Sequence, residues 1–260
     1  IVAPIEALIF FDLAFWDDHD GNALVLPAVV LWLVFGAVFF TVRFRFVNLR
    51  GFRHAIDCVR GLYTEPDEAG EISHFQALSA ALSATVGLGN IAGVAFAVGI
   101  GGPGAVFWML VGGFLGMSSK FAECSLGQKY RHIGADGHVR GGPMIYLRDG
   151  LAELGLPRLG RVLAVVFAVM CVGGSFGGGN MYQSNQSYAI VSQQLPFLAS
   201  HGRIGAAGFG LLMAVLVGLV IIGGIKRIGE VASVLVPVMC ILYVLAGGVV
   251  LLVHAAEVPD

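Results

Sequence analysis

The sequence predicts an all-α membrane protein of about six transmembrane helices, in which the first core helix is broken at Thr85–Asn90. Hydrophobic residues make up 57% of the chain and charged residues 12%, with a mean hydropathy of +0.84. Soluble domains carry about 25% charged residues. Residues 75–119 contain no Asp, Glu, Lys, Arg or His, and because one bilayer span needs about 20 apolar residues, two fit into this stretch.

The charge-free stretches divide the chain into an N-terminal part, a loop and a core of five helices. The predicted segments are an interfacial segment 1–20, a peripheral transmembrane helix 21–42, a cytoplasmic loop 43–74, a five-helix unit 75–254 with helices 75–99, 104–128, 161–195, 203–225 and 228–254, and an external end 255–260. Because the last span is followed at once by the chain end, we expect a truncated chain.

The basic residues predict the orientation in the membrane. Fourteen of the fifteen Lys and Arg residues fall in 43–74, 120–161 and 226–227. Loops rich in Lys and Arg stay in the cytoplasm. We therefore expect the N-terminus outside, in a multi-pass protein of the cell (inner) membrane with the lipid bilayer as its surroundings.

The motif TVGLGN, Thr85 to Asn90, lies in the middle of the first core span. Each glycine costs a helix interior roughly 1 kcal/mol relative to alanine, so this motif favours a break. Broken backbone in a membrane is tolerated where it lines a cavity, which indicates a binding site. Amides at Gly87, Leu88 and Gly89, with Thr85 beside them, would receive an anion such as an amino acid carboxylate, and carbonyls of Ser83, Thr85 and Val86 would face a cation such as sodium.

The glycine-rich run GGSFGGGN interrupts the third core span, and Asn180, Gln183, Asn185 and Gln186 form a cluster of amide side chains at its end and just after it. Polar groups in a span usually face the bundle interior or a water-filled path. Asn180 and Gln183 share a helix face with Ser187 and are candidate substrate-binding residues. The alternative is that the cluster is solvated at the outer membrane surface.

Several segments resemble the alanine or glycine:cation symporter family, and together they cover nearly the whole chain. They are SATVGLGNIAGVA, GGPGAVFWM, LGMSSKFAE, TVRFRFVNLRGF and GGIKRIGEVASVLVP. Leu88 departs from the threonine of many members, and VGLGN is the form found in neurotransmitter:sodium symporters, which share the fold.

The resemblance implies a sodium-coupled symporter that imports small neutral amino acids such as alanine or glycine by alternating access. It implies a leucine-transporter-like fold of two inverted five-helix repeats, of which this chain holds the first together with an N-terminal helix. A missing C-terminal half would complete the fold. By the same resemblance, the side-chain oxygen of Asn90 joins the sodium site.

Other functions fit the residues less well. GLGNIAG is not a dinucleotide fingerprint, because its third glycine is one place too far along, and we predict no enzyme, no catalytic residue and no cofactor apart from sodium as the coupling ion. The basic residues lie between spans and form no nucleic-acid footprint. An ion channel and a proton-coupled amino acid transporter remain the alternatives.

Overall fold

The computed structural model describes residues 11, 27–64, 70–135 and 137–255. The predicted interfacial segment 1–20, apart from residue 11, lies outside the described residues. The same holds for the start of the predicted span 21–42 and for residues 256–260 of the predicted external end.

The described chain is almost entirely helical. Its helices are α1 (Ala28–Arg43), α2 (Val47–Arg50), α3 (Phe52–Val59), α4 (His74–Thr85), α5 (Leu88–Gly101), α6 (Pro103–Lys129), α7 (Pro143–Glu153), α8 (Pro157–Gly174), a π-helical segment (Ser175–Met181), α9 (Tyr182–Gln194), α10 (Pro196–Ser200), α11 (Gly202–Ile221) and α12 (Gly224–Val253). Between α6 and α7 lies a small antiparallel hairpin of β1 (His132–Ile133) and β2 (Val139–Arg140), which the sequence analysis did not predict.

Four helical stretches within the described residues are long and apolar enough to cross a membrane. They are α6, the continuous stretch Pro157–Gln194, α11 and α12, and a fifth results if α4 and α5 form one bent span. The protein is therefore an all-α, multi-pass membrane protein. Helix α1 is apolar but has 16 residues, about 24 Å at 1.5 Å per residue, against a hydrocarbon core of about 30 Å.

The chain forms two compact units, and the first comprises residues 1–55 and 97–130. Within it, α1 packs on α6 through polar contacts. The fully buried Thr41 hydroxyl lies 2.7 Å from the carbonyl of Ala37 and 3.3 Å from that of Leu115, and Asn48 Nδ2 donates to the carbonyl of Phe114 at 3.0 Å. Phe44 and Phe121 add an edge-to-face ring contact. These contacts fix the end of α1 against the middle of α6.

The second unit comprises residues 56–96 and 131–260, and it contains the broken span. Ser73 caps α4 by accepting from the Gln76 backbone N–H at 3.2 Å, while the Gln76 side chain accepts from the Ser73 N–H at 3.0 Å. Helix α4 packs against α12 at the buried Gly229, where a Cβ would lie 3.2 Å from Ile72 and 3.3 Å from Gln76. A side chain at Gly229 would push these two neighbours away by a few tenths of an ångström, so the glycine permits the close packing of the start of α4 on α12.

Candidate functional site

The span formed by α4 and α5 is bent at the TVGLGN motif. Helix α4 ends at Thr85, Val86 has an extended backbone (φ −84°, ψ 101°), and α5 begins at Leu88. The axes of residues 74–85 and 89–101 differ by 43°. The bend falls where two glycines lower helix stability, as the sequence predicts.

Backbone hydrogen bonds close each half-helix separately. The Val86 N–H donates to the Leu82 carbonyl at 2.7 Å, and the N–H groups of Asn90 and Ile91 donate to the Gly87 carbonyl at 3.1 and 3.2 Å. None of these three bonds uses the carbonyl of Ser83 or Thr85. Those carbonyls lie in the last turn of α4, where the negative end of the helix dipole favours a cation.

The hydroxyl groups before the break both donate back into their own helix. Thr85 Oγ1 donates to the Ala81 carbonyl at 2.8 Å, and Ser83 Oγ donates to the Ala80 carbonyl at 2.7 Å. Because the hydroxyl hydrogen already takes part in a hydrogen bond, each hydroxyl oxygen can only offer lone pairs to its surroundings. Such oxygens suit a hard cation and cannot donate to a carboxylate.

The Gln183 side chain of α9 lies against Gly87 at the break. A Cβ built on Gly87 would lie 3.2 Å from Gln183 Nε2. Gln183 is half-buried, and its carboxamide supplies two donors and an acceptor beside the start of α5. The structure therefore brings together two candidate residues that lie almost one hundred positions apart in the sequence.

The predicted face of α9 lines a groove of about 750 Å³ between the π-helical segment, α9 and α11. Its polar wall includes Asn180, Gln183 and Ser187, and its opposite wall includes Met213 and Val217. Asn185 and Gln186 are not among the residues that line it. The helical spacing that placed Asn180 and Gln183 on one face therefore distinguished these two amides from Asn185 and Gln186.

A π-helical segment, Ser175–Met181, carries the chain from α8 into α9. The SFGGGN sequence indicated an interruption, but periodicity could not reveal a π register inside a continuous helix. Ser175 Oγ donates to the Cys171 carbonyl at 2.7 Å. Segments of this kind are frequent at functional sites, and this one places Asn180 on the groove.

Gly89 and Asn90 lie in the first turn of α5. The φ of Gly89 is not in the left-handed region, because the residue has already entered the helix. A Cβ on Gly89 would meet nothing within 4 Å. Asn90 is exposed one residue further on, on the same turn.

A separate polar cluster ties the β-hairpin to the base of the broken span. Glu71 Oε1 accepts from the Val139 backbone N–H at 3.2 Å and lies 3.4 Å from His138 Nδ1. The hydrogen bond from the Val139 N–H is the main reason that the pKa of Glu71 lies below its ordinary value, and the His138 bond is the next largest. The charge of Lys226 acts in the same direction.

The other strand of the hairpin is held by α7. Asp149 Oδ2 lies 2.7 Å from His132 Nε2, and Asp149 Oδ1 accepts from Arg148 Nε at 2.6 Å. The pKa of Asp149 is lowered to about 2, mainly by its hydrogen bonds to Arg148 and next by the bond to His132. Sequence reasoning missed both carboxylates, because strands of two residues leave no readable pattern.

Within the residues that the structure describes, no group of three or more His, Cys, Asp or Glu side chains is placed to hold a metal ion. The oxygen atoms that suit a cation at the break come instead from hydroxyl and carbonyl groups, and oxygen is the ligand that a hard cation prefers.

A bundle of apolar helices with one span broken beside an amide from another helix has the features of a secondary transporter. Comparison with known proteins gives the particular family. The profile of the sodium:alanine symporter family matches residues 15–260, so the chain belongs to that family. The predicted resemblance is confirmed, and the family is one of symporters and not of enzymes.

Individual relatives agree with this family. The chain is 41% identical to the sodium/alanine symporter AgcS of Methanococcus maripaludis over 231 residues, which cover 88% of this chain and 49% of that protein. It is 33% identical to the amino-acid carrier protein AlsT of Bacillus subtilis (92% and 49% covered), and 32% identical to the same organism's "Probable sodium/glutamine symporter GlnT" (89% and 45%). The chain spans about half the length of the curated relatives it matches.

Proposed function

We propose that this chain belongs to a sodium-coupled symporter that imports small neutral amino acids by alternating access. One observation carries the proposal: the break between α4 and α5 presents the last-turn carbonyls of α4 on one side, the start of a helix on the other, and the Gln183 carboxamide beside Gly87. A zwitterion with a sodium ion next to its carboxylate matches this arrangement of partial charges.

In the proposal, each part of the substrate has a separate partner. The carboxylate of the substrate lies against the backbone of Gly87, Leu88 and Gly89, near Thr85. Gln183 and Asn180 bind the substrate from the groove. Sodium lies among oxygens of Ser83, Thr85, Val86 and Asn90. Open space beside Gly89 leaves room for a ligand there.

The energy for uptake would come from the sodium gradient and the membrane potential. Moving one charge across 100 mV releases about 2.3 kcal/mol. That energy alone supports an amino acid gradient of roughly fiftyfold. No bond is made or broken, so the site needs only to close more readily when ion and substrate are both bound.

The names of the relatives support sodium coupling and an amino acid substrate, which is alanine in one name and glutamine in another. We infer alanine or glycine on the strength of the 41% identity to the alanine symporter.

Further predictions complete the proposal: the division into segments 1–20, 21–42, 43–74 and 75–254, six spans, an inner-membrane location with the N-terminus outside, and a second inverted repeat that completes the leucine-transporter-like fold.

Uptake in cells tests the function. The whole gene that encodes this sequence is expressed in a host lacking alanine uptake, and accumulation of labelled alanine is measured with sodium or choline outside. Saturable accumulation above the external concentration, only with sodium, is the expected result. Uptake that merely equalises alanine would favour a channel, and accumulation driven by a pH gradient without sodium would favour proton coupling.

A further inference from the structure

Five arginines lie between the last residue of α1 and the end of the loop after α3, and we call them the arginine surface: Arg43, Arg45, Arg50, Arg53 and Arg60. All five are exposed, and Asp57 is the one acidic residue between positions 43 and 60. None of the five forms an ion pair with a carboxylate that the structure describes. Such a concentration of exposed positive charge attracts anionic surfaces.

Apolar side chains accompany the arginines along α2 and α3. Phe52 and Ile56 are four residues apart in α3 and share one face of that helix, and Leu49 lies in α2 just before it; the three side chains are 65%, 38% and 63% exposed. Arg53 follows Phe52 in α3, and Arg50 is the last residue of α2, so an exposed arginine lies beside the apolar residues in each helix. A helix with exposed apolar residues beside a row of arginines is typical of one that lies in the membrane interface.

The turn after α1 separates these short helices from the apolar helix before them. Arg45 and Phe46 have positive φ angles of 52° and 57°, and the Phe46 N–H donates to the Thr41 carbonyl at 2.8 Å, which closes the last turn of α1. Apolar side chains of α1 such as Trp32 are strongly exposed, as expected of a helix that faces lipid. The arginine surface therefore begins at the point where this apolar helix ends.

We propose that residues 43–60 bind anionic phospholipid in the leaflet at which α1 ends. The guanidinium groups pair with headgroup phosphates, which they match in planar geometry, and the apolar face of α2 and α3 enters the boundary between headgroups and acyl chains. A partner protein would also need an acidic surface, but the exposed Leu49, Phe52 and Ile56 fit an apolar layer that is always present beside a membrane protein.

Lipid quenching tests this proposal directly. The chain carries three tryptophans, Trp16, Trp32 and Trp108. With these and any tryptophan elsewhere in the whole protein replaced by phenylalanine, Phe52→Trp provides a single fluorophore on the apolar face of α3. The protein is reconstituted in vesicles of phosphatidylcholine and phosphatidylglycerol, in which one lipid or the other is brominated at equal mole fraction.

We expect brominated phosphatidylglycerol to quench Phe52→Trp at least about twofold more than brominated phosphatidylcholine, because each arginine near an anionic surface favours it by a factor of roughly five. Arg50→Gln with Arg53→Gln should remove most of this preference, as should high salt. The matched control, Arg158→Gln with Arg161→Gln, removes two exposed arginines of α8 and should leave it unchanged.

Two results would overturn the proposal. Equal quenching by both lipids would show that α3 enters the bilayer without selecting anionic headgroups. Absence of quenching by either lipid, with native helicity by circular dichroism, would show that another part of the protein or a partner covers this face.

Discussion

Replacing Gly87 by alanine should weaken substrate binding through the Gln183 side chain. The added Cβ would lie 3.2 Å from Gln183 Nε2, which is shorter than an ordinary van der Waals contact, so the carboxamide must move by a few tenths of an ångström. If that movement breaks one hydrogen bond to the bound substrate, about 1–3 kcal/mol is at stake, which corresponds to a roughly 5- to 150-fold loss of affinity.

The double variant separates this mechanism from a general disturbance of the break. Gln183→Ala should cause a loss in the same range, and adding Gly87→Ala to it should cause little more, because the side chain that the methyl group displaces is gone. Gln186→Ala, one turn away and not on the groove, is the matched control and should change affinity much less. Substrate affinity is measured by radioligand binding or by the half-saturation of uptake.

Replacing Gly89 should leave the stability of the fold intact. A Cβ there meets no protein atom within 4 Å, and alanine is favoured over glycine in a helix by roughly 1 kcal/mol, so Gly89→Ala should fold at least as well as the wild type. Gly89→Val should nevertheless abolish uptake, because its side chain would occupy the space of the ligand. Independent, additive effects of Gly87→Ala and Gln183→Ala, together with active Gly89→Val, would refute the site assignment.

Three further predictions concern sodium, pH and topology. Asn90→Leu removes a sodium-facing oxygen and should raise the sodium concentration for half-maximal uptake more than it alters substrate affinity at saturating sodium; a normal sodium dependence would contradict it. Because its bonds to Arg148 and then His132 lower the pKa of Asp149 from 3.8 to about 2, the ionised carboxylate holds His132 of the hairpin above about pH 4, and this contact is lost as the pH falls towards 2. The protection of residues 132–140 against hydrogen exchange, measured relative to the unfolded chain at the same pH, should therefore fall as the pH drops over that window, and Asp149→Asn should give low protection throughout; high protection in the variant would contradict the account. A cysteine introduced at Gly102 should react with an impermeant reagent from outside the cell, whereas one at Arg60 should not, and the reverse would invert the topology.

The sequence predicted the features of this fold that depend on local composition. Charge-free stretches indicated the apolar helices, and the two glycines of TVGLGN indicated the bend at Thr85–Asn90. The spacing of Asn180, Gln183 and Ser187 predicted that these side chains share a face, and the structure places all three on the groove.

What sequence reasoning missed depends on contacts between distant residues or on fine backbone geometry. The approach of Gln183 to Gly87 does not follow from local sequence, because it depends on how α9 packs near α4. The hairpin held by Glu71 and Asp149 has too few residues per strand for alternation to be visible. The π register at Ser175–Met181 needs one extra residue per turn, which glycine-rich sequence permits but does not require.

Alanine binding to the purified protein tests most directly whether the break receives sodium and a carboxylate together. Binding of labelled alanine would be measured in sodium and in potassium at equal ionic strength, with competition by alanine and by alaninamide, which lacks the carboxylate. The account predicts binding in sodium that potassium does not support, and competition by alanine that alaninamide cannot reproduce. Equal binding in potassium, or equal competition by alaninamide, would contradict it.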